Sequence, residues 1–240
     1  MISQESLFHV NLITLFPEIF PGILGHSLIG KALEKNIWSY HTINIRDFAI
    51  DAYGTVDDVP FGGGAGMILR PDVIQKAIQS IPDRKGPLIY FTPRGQPLTQ
   101  HLVKKLVQHS SLTLLCGRYE GVDERIFQHY DIIEISLGDF ILTNGDIPAF
   151  ALLDSCIRLL PGVIGKQESL LNESFESGLL EHSLYTKPVL WEGLDVPEVL
   201  RSGHHGKIEA WRHNESIKVT RQRRPDLWIE YLKKNLIENV

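Results

Sequence analysis

The chain has 240 residues, 43% of them hydrophobic, and a formal net charge of −5. That is enough for one sizeable core, or for a core plus a small second domain. No stretch approaches the ~20 apolar residues of a membrane-spanning helix, so no membrane partner is expected; Met1–Ser6 shows no secretory pattern, and Cys116 and Cys156 are too far apart for a zinc or disulfide framework, so a cytosolic protein with reduced thiols is expected.

In chain order, Phe8–Phe16 reads as an apolar strand. Pro17–Asn36 carries apolar residues at helical spacing, loosened by Gly22 and Gly25. Trp38–Asp47 reads as a strand and Phe48–Gly66 as a loop. Pro71–Ser80 is a predicted helix with proline at its start. Pro87–Thr92 is a strand, Leu98–Gln108 a helix and Leu112–Cys116 a strand. Asp123–His129 is a short helix, Ile132–Ser136 a strand and Pro148–Leu160 a helix. This alternation predicts an α/β fold, a mostly parallel sheet with helices on both faces. Gly165–Gly178 is polar and weakly periodic and reads as a linker. Val196–Leu200, Lys207–Val219 and Pro225–Ile237 read as helices of a small C-terminal domain. The domains are therefore 1–164, a linker over 165–178, and 179–240.

Charge is distributed unevenly. Arg201–Arg224 holds seven Lys/Arg against Glu209 and Glu215, so this piece is +5 and the remainder is −10. Such a segment is either a solvated helix face or a face for a polyanion.

Three glycine-marked turns follow apolar strands: Thr92-Pro93-Arg94-Gly95, Cys116-Gly117-Arg118-Tyr119-Glu120-Gly121, and Leu137-Gly138 through Asn144-Gly145-Asp146-Ile147-Pro148. Glycine lets bare backbone approach a ligand, and strand ends are where α/β proteins bind cofactors. A pocket rimmed by main-chain groups is expected there. Asp57–Met67 is richer still in glycine, but it is no P-loop and no dinucleotide fingerprint. It is either a flexible loop or one that closes over a substrate. Arg158, on an apolar helix, and Glu173, in the linker, are unremarkable as isolated residues. His204-His205 has no evident third metal ligand, and phosphate contact or helix capping is preferred for it.

Read in order, these segments resemble the bacterial tRNA (guanine-N1)-methyltransferases of the SPOUT superfamily. The matching landmarks are Thr14–Glu18, Arg46–Phe48, Asp57–Met67, Thr92–Gly95, Cys116–Arg125, Ser136–Pro148, Arg158–Gly165, Glu173–Phe175, Tyr185–Pro188, Val196–Gly203 and Arg223–Leu227. They span nearly the whole chain.

The resemblance implies methyl transfer from S-adenosylmethionine to N1 of the guanosine immediately 3′ of the tRNA anticodon, position 37. It implies a C-terminal trefoil knot in the catalytic domain, a homodimer whose active sites lie at the subunit interface, and tRNA binding by the C-terminal domain. The cofactor positions it implies are Tyr90, Thr92, Pro93 and Gly95; Gly117, Tyr119 and Glu120; and Leu137, Gly138, Asp139, Phe140, Ile141, Leu142, Asn144, Gly145 and Pro148. Arg158 takes the position of the catalytic arginine and Glu173 that of the general base. The family is described as Mg2+-dependent, but no metal ligand set is visible in the sequence. Three positions depart from the family pattern. Glu173 stands where aspartate is usual. Asn144-Gly145-Asp146 replaces Gly-Gly-Glu, and asparagine tolerates left-handed backbone angles. Arg94 replaces glutamine and adds charge near the cofactor loops. The alternatives are another SPOUT methyltransferase acting on rRNA or a ribose 2′-hydroxyl, and a non-catalytic RNA-binding relative.

Overall fold

The computed structural model describes residues 8–165 and 173–237. The expectation about Met1–Ser6, and the 166–172 part of the expected linker, lie outside the described residues. The described residues fall into two compact units, divided after Gly165.

In chain order the first unit runs β1 (Phe8–Thr14), α1 (Ser27–Glu34), β2 (Trp38–Asn44), β3 (Asp57–Asp58), β4 (Ile68–Leu69), α2 (Pro71–Gln79), β5 (Leu88–Pro97), α3 (Gln100–Leu106), β6 (Ser111–Leu115), α4 (Glu124–His129), β7 (Ile132–Ser136) and α5 (Asp146–Ile157). Five strands form one sheet in the order β2-β1-β6-β5-β7, and every pairing in it is parallel. Parallel strands are buried on both faces, which explains their near-continuous apolar runs. Successive side chains then serve opposite cores. Phe8, Val10, Leu12, Ile89, Leu112 and Leu114 pack with Val103 and Leu106 of α3 and Leu152, Leu153 and Cys156 of α5. Ile13, Leu88, Tyr90 and Leu115 pack on the other side with Val73, Ile74 and Ala77 of α2 and Ile126 of α4.

Several local expectations are corrected. The helix expected over Pro17–Asn36 is two 3-10 turns, Pro17–Ile19 and Gly22–Gly25, followed by α1. Gly22 at φ +49 and Ser27 at φ +55 interrupt any continuous right-handed helix. The strand from Trp38 stops at Asn44, whose side chain accepts from the Arg46 N–H at 3.0 Å and opens a 3-10 turn. The Phe48–Gly66 loop contains β3, which pairs antiparallel with β4. Strand β5 continues past Thr92 to Pro97, with a register shift between Phe91 and Gln96, so the expected strand-end turn is a bulge within a strand.

The second unit contains β8 (Leu190–Trp191), β9 (Leu194–Asp195), α6 (Glu198–Arg201), α7 (His205–Arg223) and α8 (Pro225–Ile237). Strands β8 and β9 form a hairpin with Glu192 and Gly193 at φ +48 and +81, the paired positive angles that a two-residue hairpin turn demands. Pro225 stops α7. Trp211 is half-buried, with His182 and Tyr185 edge-on to it at 6.2 Å. His204 occupies the residue before α7, but its ring makes no capping bond, so the capping reading of that pair is not realised.

Candidate active site

The loops after β6 and β7 and the bulge in β5 enclose a cavity of about 250 Å³ in the first unit. Its lining includes Tyr90, Thr92, Pro93, Gly117, Tyr119, Glu120, Leu137, Gly138, Phe140, Ile141, Leu142, Asn144, Gly145 and Pro148, so fourteen of the sequence-derived cofactor positions meet around one space. Gly95 and Asp139 are not among the lining residues. A Cβ on Gly95 would collide with the β7 backbone at Glu134 and Ile135, so this glycine serves strand packing. Phe91, Arg118, Gly121, Ile135, Ser136 and Thr143 also line the cavity; Arg118, Gly121 and Thr143 lie within the glycine-marked turns, and Phe91, Ile135 and Ser136 belong to β5 and β7, the strands that lead into them.

Close backbone packing shapes the space. Gly145 N–H donates to Gly117 O at 2.8 Å, tying the loop after β7 to the loop after β6. Tyr119, at φ +58, holds a left-handed conformation uncommon for a non-glycine residue, and such strain gathers at functional sites. The glycine-rich segment is fastened at its root to the same loop. Glu120 N–H donates to Met67 O at 2.9 Å, and Leu69 N–H to Gly121 O at 2.9 Å. Its tip is open, with Phe61 99% exposed.

Behind the cavity lies a charged cluster that the sequence did not reveal. Asp146 is 1% exposed. Its Oδ1 accepts from Thr14 Oγ1 at 2.7 Å, and its Oδ2 lies 3.5 Å from Arg118 Nη2. The Arg118 guanidinium sits 4.3 Å over the Phe16 ring. Burial holds the Asp146 carboxyl above its ordinary 3.8, against the opposing pull of the Thr14 hydroxyl and the Arg118 charge. The folded state therefore binds this proton more tightly than the unfolded chain. The stability it contributes is present below pH 3.8 and is lost as pH rises through the folded value. Asp146→Asn has no such loss, so its melting temperature relative to wild type should climb as pH is raised from below 3.8 to neutrality. A pH-independent difference would show that Asp146 is not the group responsible.

Burial also pushes the Cys116 thiol well above its ordinary value and raises Cys156 to about 12, so both remain thiols at neutral pH and neither supplies a thiolate nucleophile.

The departures at Asn144 and Arg94 acquire physical explanations. Asn144 is not among the residues with positive φ, so left-handed tolerance is not what keeps it. Its Oδ1 instead accepts from the N–H groups of Asp146 and Ile147 at 2.9 and 3.1 Å, satisfying the first turn of α5. Asn144→Ala should lower unfolding stability by about 1 kcal/mol and Asn144→Gly by only a few tenths. Urea unfolding of the two variants checks this, and equal losses would discount the cap. Arg94 pairs with Glu124 at 3.2 Å and Glu134 at 3.4 Å, so two carboxylates offset the charge it adds.

Arg158 is the C-cap residue of α5, its N–H donating to Asp154 O at 3.2 Å, and it is not among the cavity-lining residues. Glu173 belongs to the second unit, where it lines a separate cavity with His182, Arg212 and His213.

Residues 8–230 match the family described as tRNA (Guanine-1)-methyltransferase TrmD. A relative from Rhodospirillum rubrum, named tRNA (guanine-N(1)-)-methyltransferase, is 57% identical over 221 residues, 92% of each chain. Relatives of the same name from Ruegeria pomeroyi and Zymomonas mobilis are each 54% identical, covering 93% of this chain and 93% and 91% of theirs. With a parallel α/β sheet, backbone-lined loops at its strand ends and a match over nearly its full length, the chain belongs to the tRNA (guanine-1)-methyltransferase family.

Proposed function

We propose that this protein transfers a methyl group from S-adenosylmethionine to N1 of the guanosine immediately 3′ of the anticodon, position 37 of tRNA. Family membership over residues 8–230 is the observation that carries this reading. The first-unit cavity fits the cofactor. Ile135, Leu137, Ile141, Leu142 and Pro148 offer an apolar slot for an adenine ring, and the glycine turns bring main-chain donors and acceptors to its rim. Bound S-adenosylmethionine supplies an electrophilic methyl group on a sulfonium. Among the described residues no three His, Cys, Asp or Glu are grouped to hold a metal, so no step is assigned to Mg2+.

The chain's own residues act on the base. Guanine N1 carries a hydrogen and is a poor nucleophile until that proton leaves. Glu173 accepts it as general base. Negative charge then develops on the base, largely at O6, and the Arg158 guanidinium stabilises it. The basic surface of α7 grips tRNA phosphates with a salt-dependent affinity. The target guanine leaves its stack to reach the site.

The trefoil knot, the homodimer and a cytoplasmic location belong to the same reading. The Gly145–Gly117 bond, which ties two successive strand-end loops together, supports the knot. Ile23, Leu28, Phe140 and Ile141 are large apolar side chains left exposed in the first unit, a surface that a partner subunit would cover, and this supports the dimer.

The test is methylation of an unmodified tRNA transcript bearing guanosine 3′ of the anticodon, followed by nucleoside analysis. 1-Methylguanosine is expected, and none when adenosine replaces that guanosine. A ribose-methylated nucleoside, or no methylated product, overturns the reading.

A further inference from the structure

We infer that Thr220 is a positioning residue that places the Glu173 segment through the main-chain N–H of Leu180. This rests on the reading of Glu173 as the general base. Leu179 and Thr220 are the only buried residues among the described residues of the second unit. They lie where the 173–183 segment meets α7. Thr220 is 0% exposed, and its hydroxyl donates to Ser216 O at 2.6 Å within the helix. That leaves its oxygen free to accept, and it accepts from Leu180 N–H at 2.8 Å. Ser183 Oγ adds a second tie by donating to Glu215 at 3.1 Å.

Between these ties and Glu173 the segment is closed on itself. Glu176 N–H donates to Glu173 O at 3.3 Å, Phe175 N–H to Leu179 O at 2.9 Å, and Glu181 N–H to Ser174 Oγ at 2.9 Å. Phe175 at φ +77 is held left-handed within this closure. A segment bonded at each end in this way moves as a piece, so its attachment to α7 sets where the Glu173 carboxylate stands. The same helix carries exposed Lys218, Arg221 and Arg223 beside Thr220. When tRNA phosphates dock on α7, the helix brings the base-bearing segment with it. Thr220 thus couples RNA docking to proton removal without touching the substrate.

The test uses the full-length protein and measures the single-turnover methylation rate at saturating tRNA and cofactor, tRNA affinity and melting temperature. Thr220→Val keeps the shape and removes the acceptor. It should slow the chemical step about 10- to 100-fold, since displacement of a reacting group by ~1 Å has that scale of effect, while tRNA affinity holds. Thr220→Ser should restore most of the rate. In a Glu173→Gln background, Thr220→Val should cost little more, because both changes act on one group. An unchanged rate in Thr220→Val, a Thr220→Ser as slow as the valine variant, or equal losses in both backgrounds overturns the inference. Normal turnover in Glu173→Gln overturns the base assignment itself, and this inference with it. If Thr220→Val melts below the assay temperature, Ser174→Ala opens the same closure. It should show the same loss of rate with tRNA affinity retained, and a normal rate there counts against the inference.

Discussion

Glu173→Gln is expected to slow methylation by about 10²- to 10⁴-fold, the contribution of a positioned general base, which corresponds to about 3–5 kcal/mol of barrier. Glutamine keeps the shape and hydrogen-bonding reach of glutamate but cannot take the N1 proton. The cofactor cavity belongs to the first unit and Glu173 is not among its lining residues, so S-adenosylhomocysteine affinity should be unchanged. Calorimetric titration alongside a methyl-incorporation assay separates the two effects. Glu173→Asp refines the test, because it keeps the chemistry and shortens the reach by one methylene. If the segment is held as its internal bonds indicate, aspartate should fall between wild type and glutamine. Near-normal turnover in Glu173→Gln would move the base elsewhere, and Asp139 and Asp146 would be next to examine.

The parallel sheet was legible because its strands are apolar on both faces and alternate with helices. Ile132–Ser136 was read to the residue. Where the reading failed, the cause was local. Two-residue strands such as β3 and β8 have no periodicity to detect. Between Pro17 and Asn36 the helix is interrupted at Gly22, which the sequence marks, and at a left-handed Ser27, which residue type does not announce. Among the glycines of the three turns, Gly117, Gly121, Gly138 and Gly145 line one cavity, whereas Gly95 packs against β7 instead. The Thr14–Asp146 bond joins residues 132 apart, and no spacing rule reaches across that distance. Asn144 showed the same limit in reverse. Its residue type pointed to backbone freedom, whereas its side chain acts as a helix cap. Arg158 and Glu173 were singled out by resemblance alone, because an arginine at a helix end and a carboxylate in a polar segment are chemically ordinary until a substrate is named.

Gly145→Ala should weaken cofactor binding through the contact between two cavity loops. The backbone at Gly145 has φ −84, which alanine adopts without strain, so conformational freedom is not what requires glycine here. By reducing the freedom of the unfolded chain, alanine would by itself stabilise by about 0.4–1 kcal/mol. Sterics oppose this. The added Cβ would stand 2.7 Å from Gly117 N and 2.9 Å from Cys116 Cα, and these are backbone atoms that cannot swing aside. Overpacking of that kind costs about 1–3 kcal/mol, so the net effect is destabilising. Relief requires separating the loop after β7 from the loop after β6, which stretches the Gly145–Gly117 hydrogen bond and opens the cavity between them. Losing that bond adds about 0.5–1.5 kcal/mol. Affinity for S-adenosylhomocysteine should fall by about tenfold or more, since a loss of ~1.4 kcal/mol in the bound state already accounts for a factor of ten. Gly206→Ala is the control: its Cβ meets nothing within 4 Å, so it should leave cofactor affinity untouched. Titration of both variants decides the point, and wild-type affinity in Gly145→Ala would mean that the contact between the two loops does not set the shape of the cofactor site.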